Sequence, residues 1–408
     1  MTRPWLIFVE SNTSGTGRLF IRAGAECGYL PALLAAQPDR YSFVQEEPVR
    51  LVKCDTGSFP ELCKTIEKLE YKAPVAGILS SSEYFAATAA ALAAECRLPG
   101  PDPDALQACR NKWNQRRILR AAGLLTPKFE RAASLEETRE ILKHIPLPAI
   151  VKPVQGSGSV GVRLCRTSEE VAEHAALLLQ RTVNERGMPM LADMLIEEYI
   201  IGPEFSAEAF QGSIIGITRK HVSPEPFFVE LGHDFPAGLP ADVEKGITNV
   251  AKDALRALGL TWGPAHIELR LTPNGPIIIE VNPRLAGGFI PEIVRLALGV
   301  DVVRETVRLA AGEKPELRSR QSRQGMSASI RFVTPGKNGT IHEISGIAAA
   351  LRTAGVVDVQ MYRERGDRVQ IENDFRDRIG HVVSCAEGST VAAKAAESAR
   401  NLIEIQLS

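Results

Sequence analysis

The sequence predicts a multidomain protein that combines α/β and α+β architecture, and three observations predict it. Its 408 residues are enough for two or three domains with substantial cores. Strand-like and helix-like runs alternate over the first hundred residues, as in a parallel sheet covered by helices. Further along, strand pairs joined by turn residues alternate with helical stretches, and the chain ends in a unit of α+β character.

Trp5-Leu-Ile-Phe-Val9 is a continuous apolar run and reads as a buried strand. The turn-rich stretch Glu10 to Gly17 follows, then a helical pattern through Leu19, Phe20, Ala23 and Cys27 that ends near Gly28. Pro31 to Ala35 and Val75 to Leu79 read as strands, 60–70 and the Ala-rich 83–96 as helices. Together they predict an N-terminal α/β lobe over 1–105, closed by the breaker cluster Pro99-Gly-Pro-Asp-Pro103.

One helix is expected from about 104 to 122, carrying Asn111-Lys112 and Arg116-Arg117, with Gly123 and Pro127 marking its end. A βαβ-like stretch comes next: strand Ala149 to Lys152, a Gly-rich turn at 156–161, strand Val162 to Cys165 and a helix from Ser168 to about Arg181. Met194 to Glu197 leads through Gly202-Pro203 into Glu204 to Phe210, which alternates at period two. Residues 244–258 read as a helix, 265–282 as a hairpin and 291–312 as helical again. The core is thus expected over 106–312, in parts of about 125–200 and 201–312, and a charged connector (313–325) opens the C-terminal unit, 313–408.

Lys plus Arg number 48 and Asp plus Glu 49, a balance that argues against a nucleic-acid coat or a polybasic membrane binder. A polyanionic small ligand stays open, because it answers to local charge. The seven cysteines are scattered and never spaced C-x-x-C, which points to a reducing cytoplasm and away from a disulfide framework or zinc cage. The apolar start is too short for a signal segment, and no run of about 18 apolar residues occurs. A soluble, cytoplasmic protein is expected, with neither nucleic acid nor membrane as partner.

Gly15-Thr-Gly17 lacks the third glycine of a dinucleotide fingerprint, since position 20 is Phe, and reads as the tight first turn of the lobe. Gly156-Ser-Gly-Ser-Val-Gly161 is more informative. Strand-like residues flank it on both sides, so its amides and hydroxyls form a flexible loop able to donate to phosphate oxygens. Lys152 precedes it on an apolar strand, where a buried ammonium needs a fixed anionic partner. A protein kinase places its lysine after the loop, and a Walker A motif needs G-K-[ST]; both readings fail here.

Ala265 to Leu271 and Pro276 to Asn282 flank Thr-Pro-Asn-Gly. A three-residue loop centred on position 274 places Glu268 directly opposite Glu280, with Asn282 on the same face. Opposed carboxylates about 5 Å apart destabilise a sheet unless compensated, and two Mg²⁺ ions held by carboxylate and amide oxygens would compensate them. A retaining glycosidase also pairs carboxylates at this spacing, but that leaves Asn282, Arg284 and the upstream lysine and glycine loop without roles. Arg284 follows Pro283 and can aim its fork at a phosphate or oxyanion, and Gly287-Gly288 permits close ligand approach.

Taken together, Asn111-Lys112, Val151-Lys-Pro153 with Gly156–Gly161, Ile196-Glu-Glu-Tyr-Ile-Ile-Gly-Pro-Glu-Phe-Ser206, His266-Ile-Glu268 and Glu280-Val-Asn-Pro-Arg284 resemble the ATP-grasp superfamily, in family order over nearly the whole chain. The resemblance implies an ATP-grasp fold between the α/β lobe and the C-terminal unit. It implies that Lys112 and Lys152 hold ATP phosphates under the loop Gly156, Ser157, Gly158, Ser159 and Gly161. Glu197, Glu198, Tyr199 and Ile200 would form the hinge whose backbone reads adenine, and Glu204 would take the ribose hydroxyls. Glu268, Glu280 and Asn282 would bind two Mg²⁺, with Mn²⁺ able to substitute, and Arg284 would steady the transferred phosphoryl group or the tetrahedral intermediate.

The reaction so implied is attack of a carboxylate on the γ-phosphate, giving an acylphosphate from which an amine displaces phosphate, with ADP the other product. Ser329-Ile-Arg-Phe332 and Ile344-Ser-Gly346 resemble the C-terminal unit of biotin carboxylases and amino-acid ligases. Biotin carboxylases continue after the arginine with Q-V-E-H; here Leu285-Ala-Gly-Gly-Phe289 has no such acid, which moves the reading from carboxylation to carboxylate–amine ligation. A carboxylase acting through carboxyphosphate and a non-catalytic nucleotide-binding protein are the alternatives. Pro226 to His233 lies where such enzymes contact nucleotide or substrate, which makes His233 a nucleotide candidate and Glu230, with Arg284, Gly287 and Gly288, a substrate candidate. The implied partners are a small carboxylate and an amine, with amino acids the expected pair, and the implied assembly is a homodimer.

Overall fold

Four strands, β1 (Trp5–Val9), β2 (Leu30–Ala35), β3 (Arg50–Lys53) and β4 (Val75–Leu79), form a parallel sheet in the order β3-β2-β1-β4. This is a computed structural model, and it describes residues 3–13, 15–184, 187–317 and 325–408. Leu6, Ile7, Phe8 and Val9 are all fully buried, because helices cover both faces of the sheet; hence the unbroken apolar run. The half-polar β3 is an edge strand that periodicity alone does not reveal. The lobe's core also draws on residues past 105: Val303, Val307 and Ala310 of the helix Val302–Ala310 pack with Leu6 and Phe8.

The single helix expected over 104–122 is two, Pro103–Arg110 and Lys112–Ala121. Asn111 is extended (φ −96°, ψ 106°), and its side chain accepts from Asn114 N at 3.0 Å, capping the second helix. The break places Lys112 at a helix start, where its amide donates to Val154 O at 2.9 Å. The helical run expected over 291–312 is likewise two helices, Ile290–Leu298 and Val302–Ala310, the second capped by Asp301.

A second sheet, β5 (Phe129–Ala132), β6 (Ala149–Pro153), β7 (Arg163–Cys165) and β8 (Met194–Glu198), is antiparallel throughout in the order β5-β8-β6-β7. The expected βαβ-like stretch is therefore a hairpin, with 156–161 as the β6–β7 connection.

Next come β9 (Glu204–Phe210), β10 (Ser213–Val222), β11 (Glu230–Phe235), β12 (Pro264–Thr272) and β13 (Gly275–Asn282), backed by the helix Ala241–Ala257. The C-terminal strands are β14 (Met326–Val333), β15 (Gly339–Ser345), β16 (Val356–Met361), β17 (Arg368–Val369), β18 (Gly380–Glu387) and β19 (Glu404–Leu407). They do not stand apart: one eight-stranded sheet runs β13-β12-β9-β10-β11-β14-β18-β16, and only β15, β17 and β19 form a small sheet of their own. Of the expected connector 313–325, residues 318–324 lie outside the described residues.

The carboxylate hairpin has the expected facing pair for a different reason. Thr272 pairs with Gly275, so the loop has two residues, and an irregularity after Glu268 restores the opposition of Glu268 to Glu280 and of His266 to Asn282. All seven cysteines are free, and no described helix is long and apolar enough to cross a membrane.

Candidate active site

Two sheets meet at a pocket whose floor is β9–β13 and whose roof is β6, β7 and their loop. Lys112, Lys152, Gly158, Ser159, Glu204, Glu268 and Glu280 all line it, as do the hinge residues Glu197, Glu198, Tyr199 and Ile200. Gly156 joins through its carbonyl, which accepts from Lys112 Nζ at 2.6 Å. The same ammonium stands 3.1 Å from Glu280 Oε1, so one lysine ties the glycine loop to the carboxylate hairpin. Burial alone would lower the Lys112 pKa, but Glu280, with Glu83 and Glu268, raises it.

Lys152 is buried against Glu197, whose other oxygen accepts from Arg116 Nε at 2.6 Å. Burial and the neighbouring Arg116 push the Lys152 pKa down. Burial works against the Glu197 charge as well, yet Arg116 and Lys152 hold that carboxylate below its usual range. Two buried cations thus share one anion, and Arg116 Nη1 has no hydrogen-bond partner among the described residues. The surplus positive charge lies at the roof, where an anion would complete it.

The hinge is only partly open to a ligand. Ile200 O accepts from Arg270 Nη1 at 2.8 Å, the Tyr199 hydroxyl donates to Glu225 at 2.6 Å, and Glu198 N donates to Lys128 O at 2.9 Å. Glu204 is held from both sides, by Lys220 at 3.0 Å and by Arg270 at 3.1 Å. Arg270 also lies over the rings of Tyr199 and Phe228, giving the hinge end of the pocket an aromatic and cationic wall.

Lys220, Arg270, Arg116 and Glu83 escape a reading of the sequence. Lys220 is central: its buried ammonium touches Glu204, Glu230 and Glu268 at 3.0, 2.8 and 2.8 Å. The three carboxylates outweigh burial and hold its pKa well above the ordinary value. The available signal was weak, since Lys220 follows Arg219 at the end of the apolar and small-residue run Ser213 to Thr218.

At the hairpin, Glu268 also accepts from His266 Nε2 at 3.2 Å, and His266 Nδ1 meets Glu208 at 3.0 Å. Despite burial, the two carboxylates raise the His266 pKa to about 9. Asn282 is buried beside them, paired in the ladder with His266. Glu268, Glu280 and Asn282 offer oxygen donors only, a set that fits a hard divalent cation completed by water and phosphate oxygens. Among the described residues no group of three or more His, Cys, Asp or Glu side chains forms a metal cage.

Arg284, Gly287, Gly288 and His233 lie outside the pocket lining, with His233 Nε2 3.7 Å from the lining residue Glu230. Arg284 binds Glu83 of the N-terminal lobe at 2.6 Å and donates to Leu285 O at 3.0 Å. Burial opposes its charge, but Glu83, Glu280 and Glu268 raise its pKa, so it feels the hairpin carboxylates. Gly288 has φ +60°, and a Cβ there would come within 2.5 Å of His233 Nε2. His233 lies on β11; it is fully buried, neither ring nitrogen is hydrogen-bonded among the described residues, and burial lowers its pKa to about 3. Glu230 lines the pocket between Lys220 and Arg378.

With this geometry in view, residues 145–292 match the family model of the ATP-grasp domain, and residues 331–408 match that of the L-amino acid ligase C-terminal domain 2. The chain belongs to the ATP-grasp ligases. An uncharacterised protein of Sinorhizobium fredii is 38% identical over 400 residues, covering 97% of this chain and 82% of that one. Carnosine synthase 1 of Gallus gallus is 30% identical over 239 residues, 55% of this chain; the match spans only 26% of that longer protein. The crystal structure of the L-amino acid ligase from Bacillus licheniformis matches over 100% of both chains with a TM-score of 0.83 at 22% identity, so the two share the ATP-grasp fold from end to end. Most of the residues that line the pocket, from Ile150 to Glu280, fall within the stretch matched by the ATP-grasp domain model.

Proposed function

We propose that this chain joins a small carboxylate, an amino acid by preference, to the amine of a second amino acid at the expense of ATP, through an acylphosphate, releasing ADP and phosphate. The observation that carries the proposal is the position of Lys112, 2.6 Å from Gly156 O and 3.1 Å from Glu280, at the junction of phosphate loop and carboxylate hairpin. The match of 331–408 to the L-amino acid ligase C-terminal domain supports amino acids as substrates.

In this reading Lys112, Lys152 and Lys220 neutralise phosphate charge, and the surplus cation beside Glu197 receives an ATP oxygen. Glu268, Glu280 and Asn282 would hold two Mg²⁺, or Mn²⁺ in its place, which would supply charge neutralisation at the transferred phosphoryl group. Glu204 takes the ribose and the Tyr199 backbone the adenine. Arg284, oriented by Glu83, faces the acyl phosphate, and Glu230 with Gly287 and Gly288 borders the amino-acid side. The free thiols accord with a cytoplasmic enzyme. We also infer a homodimer, which sedimentation would test.

The test is an ATP-consumption screen over amino acids singly and in pairs, with mass detection of the product. An acid-plus-amine product formed with stoichiometric ADP supports the proposal. ADP release that depends on bicarbonate and needs no amine contradicts it.

A further inference from the structure

The glycine loop is gripped by a part of the molecule that none of its motifs involve. Phe375, in the single turn Phe375–Asp377, donates its amide to Gly158 O at 3.2 Å. Its ring packs against the glycine: a Cβ on Gly158, itself at φ +67°, would stand 2.5 Å from Phe375 Cδ1. The turn is stiff, because Asp374 accepts from Arg376 N at 2.9 Å and Asp377 accepts from Glu372 N and Asn373 N at 2.7 and 2.9 Å.

Three residues on, Arg378 donates through Nε to Glu230 O at 3.0 Å, pairs with the Glu230 carboxylate and lies over the Phe332 ring. The loop's own Ser159 hydroxyl donates to Phe228 O at 2.9 Å, just ahead of Glu230. One seven-residue segment, 372–378, therefore touches both the phosphate loop and the carboxylate that borders the amino-acid side. Phe375 remains 38% exposed, so its ring serves the loop more than a core.

We propose that segment 372–378 is a latch by which the C-terminal unit holds the 156–161 loop closed over bound nucleotide, with Phe375 and Arg378 as positioning residues. A closed loop excludes water from the phosphoryl-transfer site, and the shared segment couples that closure to the placement of Glu230. The inference rests on the nucleotide-binding part of the ligase reading and needs no knowledge of the amino acids.

The test is hydrogen–deuterium exchange over 154–162 in the full chain, with and without saturating ADP and Mg²⁺, for wild type, Phe375→Ala, Phe375→Leu and Phe375→Tyr. The expected result is nucleotide-dependent protection in wild type and Phe375→Tyr. Phe375→Ala keeps the backbone hydrogen bond and loses the apolar ring contact, so the loop should exchange about tenfold faster with nucleotide bound, with Phe375→Leu between. Exchange elsewhere should be unchanged, which separates a latch from a general loss of stability. Equal protection in wild type and Phe375→Ala overturns the latch, as does a wild-type loop indifferent to nucleotide. Normal protection with no product from any acid and amine would instead overturn the ligase reading and leave the latch standing.

Discussion

Lys220 and Glu268 meet across the intervening strand β9, with Nζ 2.8 Å from Oε2, although 48 residues separate them. The contact sets one of the two hairpin carboxylates against a lysine that also serves Glu204 and Glu230. Replacing Lys220 by Met strands three acids in a buried site. Urea unfolding should show a loss of about 3–5 kcal/mol, the cost of breaking a buried pair from one side. Adding Glu268→Gln should return about 1 kcal/mol or more; strictly additive effects would mean that the two do not interact in solution.

Glu280→Gln and Arg284→Ala should each reduce ADP release to background while the circular dichroism spectrum stays native. One loses an oxygen donor charge at the hairpin, the other the fork beside it. Near-normal turnover in either variant would remove that residue from the site.

Lys152→Ala should weaken ATP binding by about tenfold or more, measured by calorimetry, with little change in the affinity for amine. The variant leaves Glu197 paired with Arg116 alone, so the surplus positive charge at the roof disappears. An effect confined to amine affinity would contradict its assignment to phosphate.

Two buried histidines should bend the stability–pH curve in opposite directions. His266, raised to about 9, contributes stability that is complete below its unfolded value near 6.5 and is lost as pH climbs through 9. His233, lowered to about 3, contributes stability that is present above about 6.5 and is lost as pH falls through 3. Denaturation midpoints from pH 4 to 10 should fall on both sides, and His266→Gln should flatten the alkaline limb. An unchanged alkaline limb would show that the carboxylates of Glu208 and Glu268 do not hold its proton.

Local chemistry was legible in the sequence and long-range pairing was not. The hairpin betrayed itself because two glutamates interrupt largely apolar strands at facing positions, and even there the right pair arises from a shorter loop and a compensating irregularity. Lys152 could be singled out because a lysine on an apolar strand demands a partner, yet nothing local says that the partner is Glu197, shared with Arg116. Lys220 lies between Arg219 and His221, and Arg270 alternates with Leu269 and Leu271, so both pass for solvent-facing residues until the sheet order brings β10, β9 and β12 together. The break at Asn111 was hidden for the opposite reason: helix-compatible residues lie on both sides, and only the cap geometry reveals it.

The shared sheet has a consequence for how the protein can be divided. β14 lies along β11 over four residue pairs, Gly232 with Arg331 through Phe235 with Ala328, so the strand that leads into the C-terminal match is stitched edge to edge to the ATP-grasp match. Cutting the chain between them would leave each half with a raw, hydrogen-bonding strand edge facing water, an invitation to self-association. The boundary between the two matched stretches thus falls inside one continuous sheet, and excised halves should aggregate where the intact chain folds.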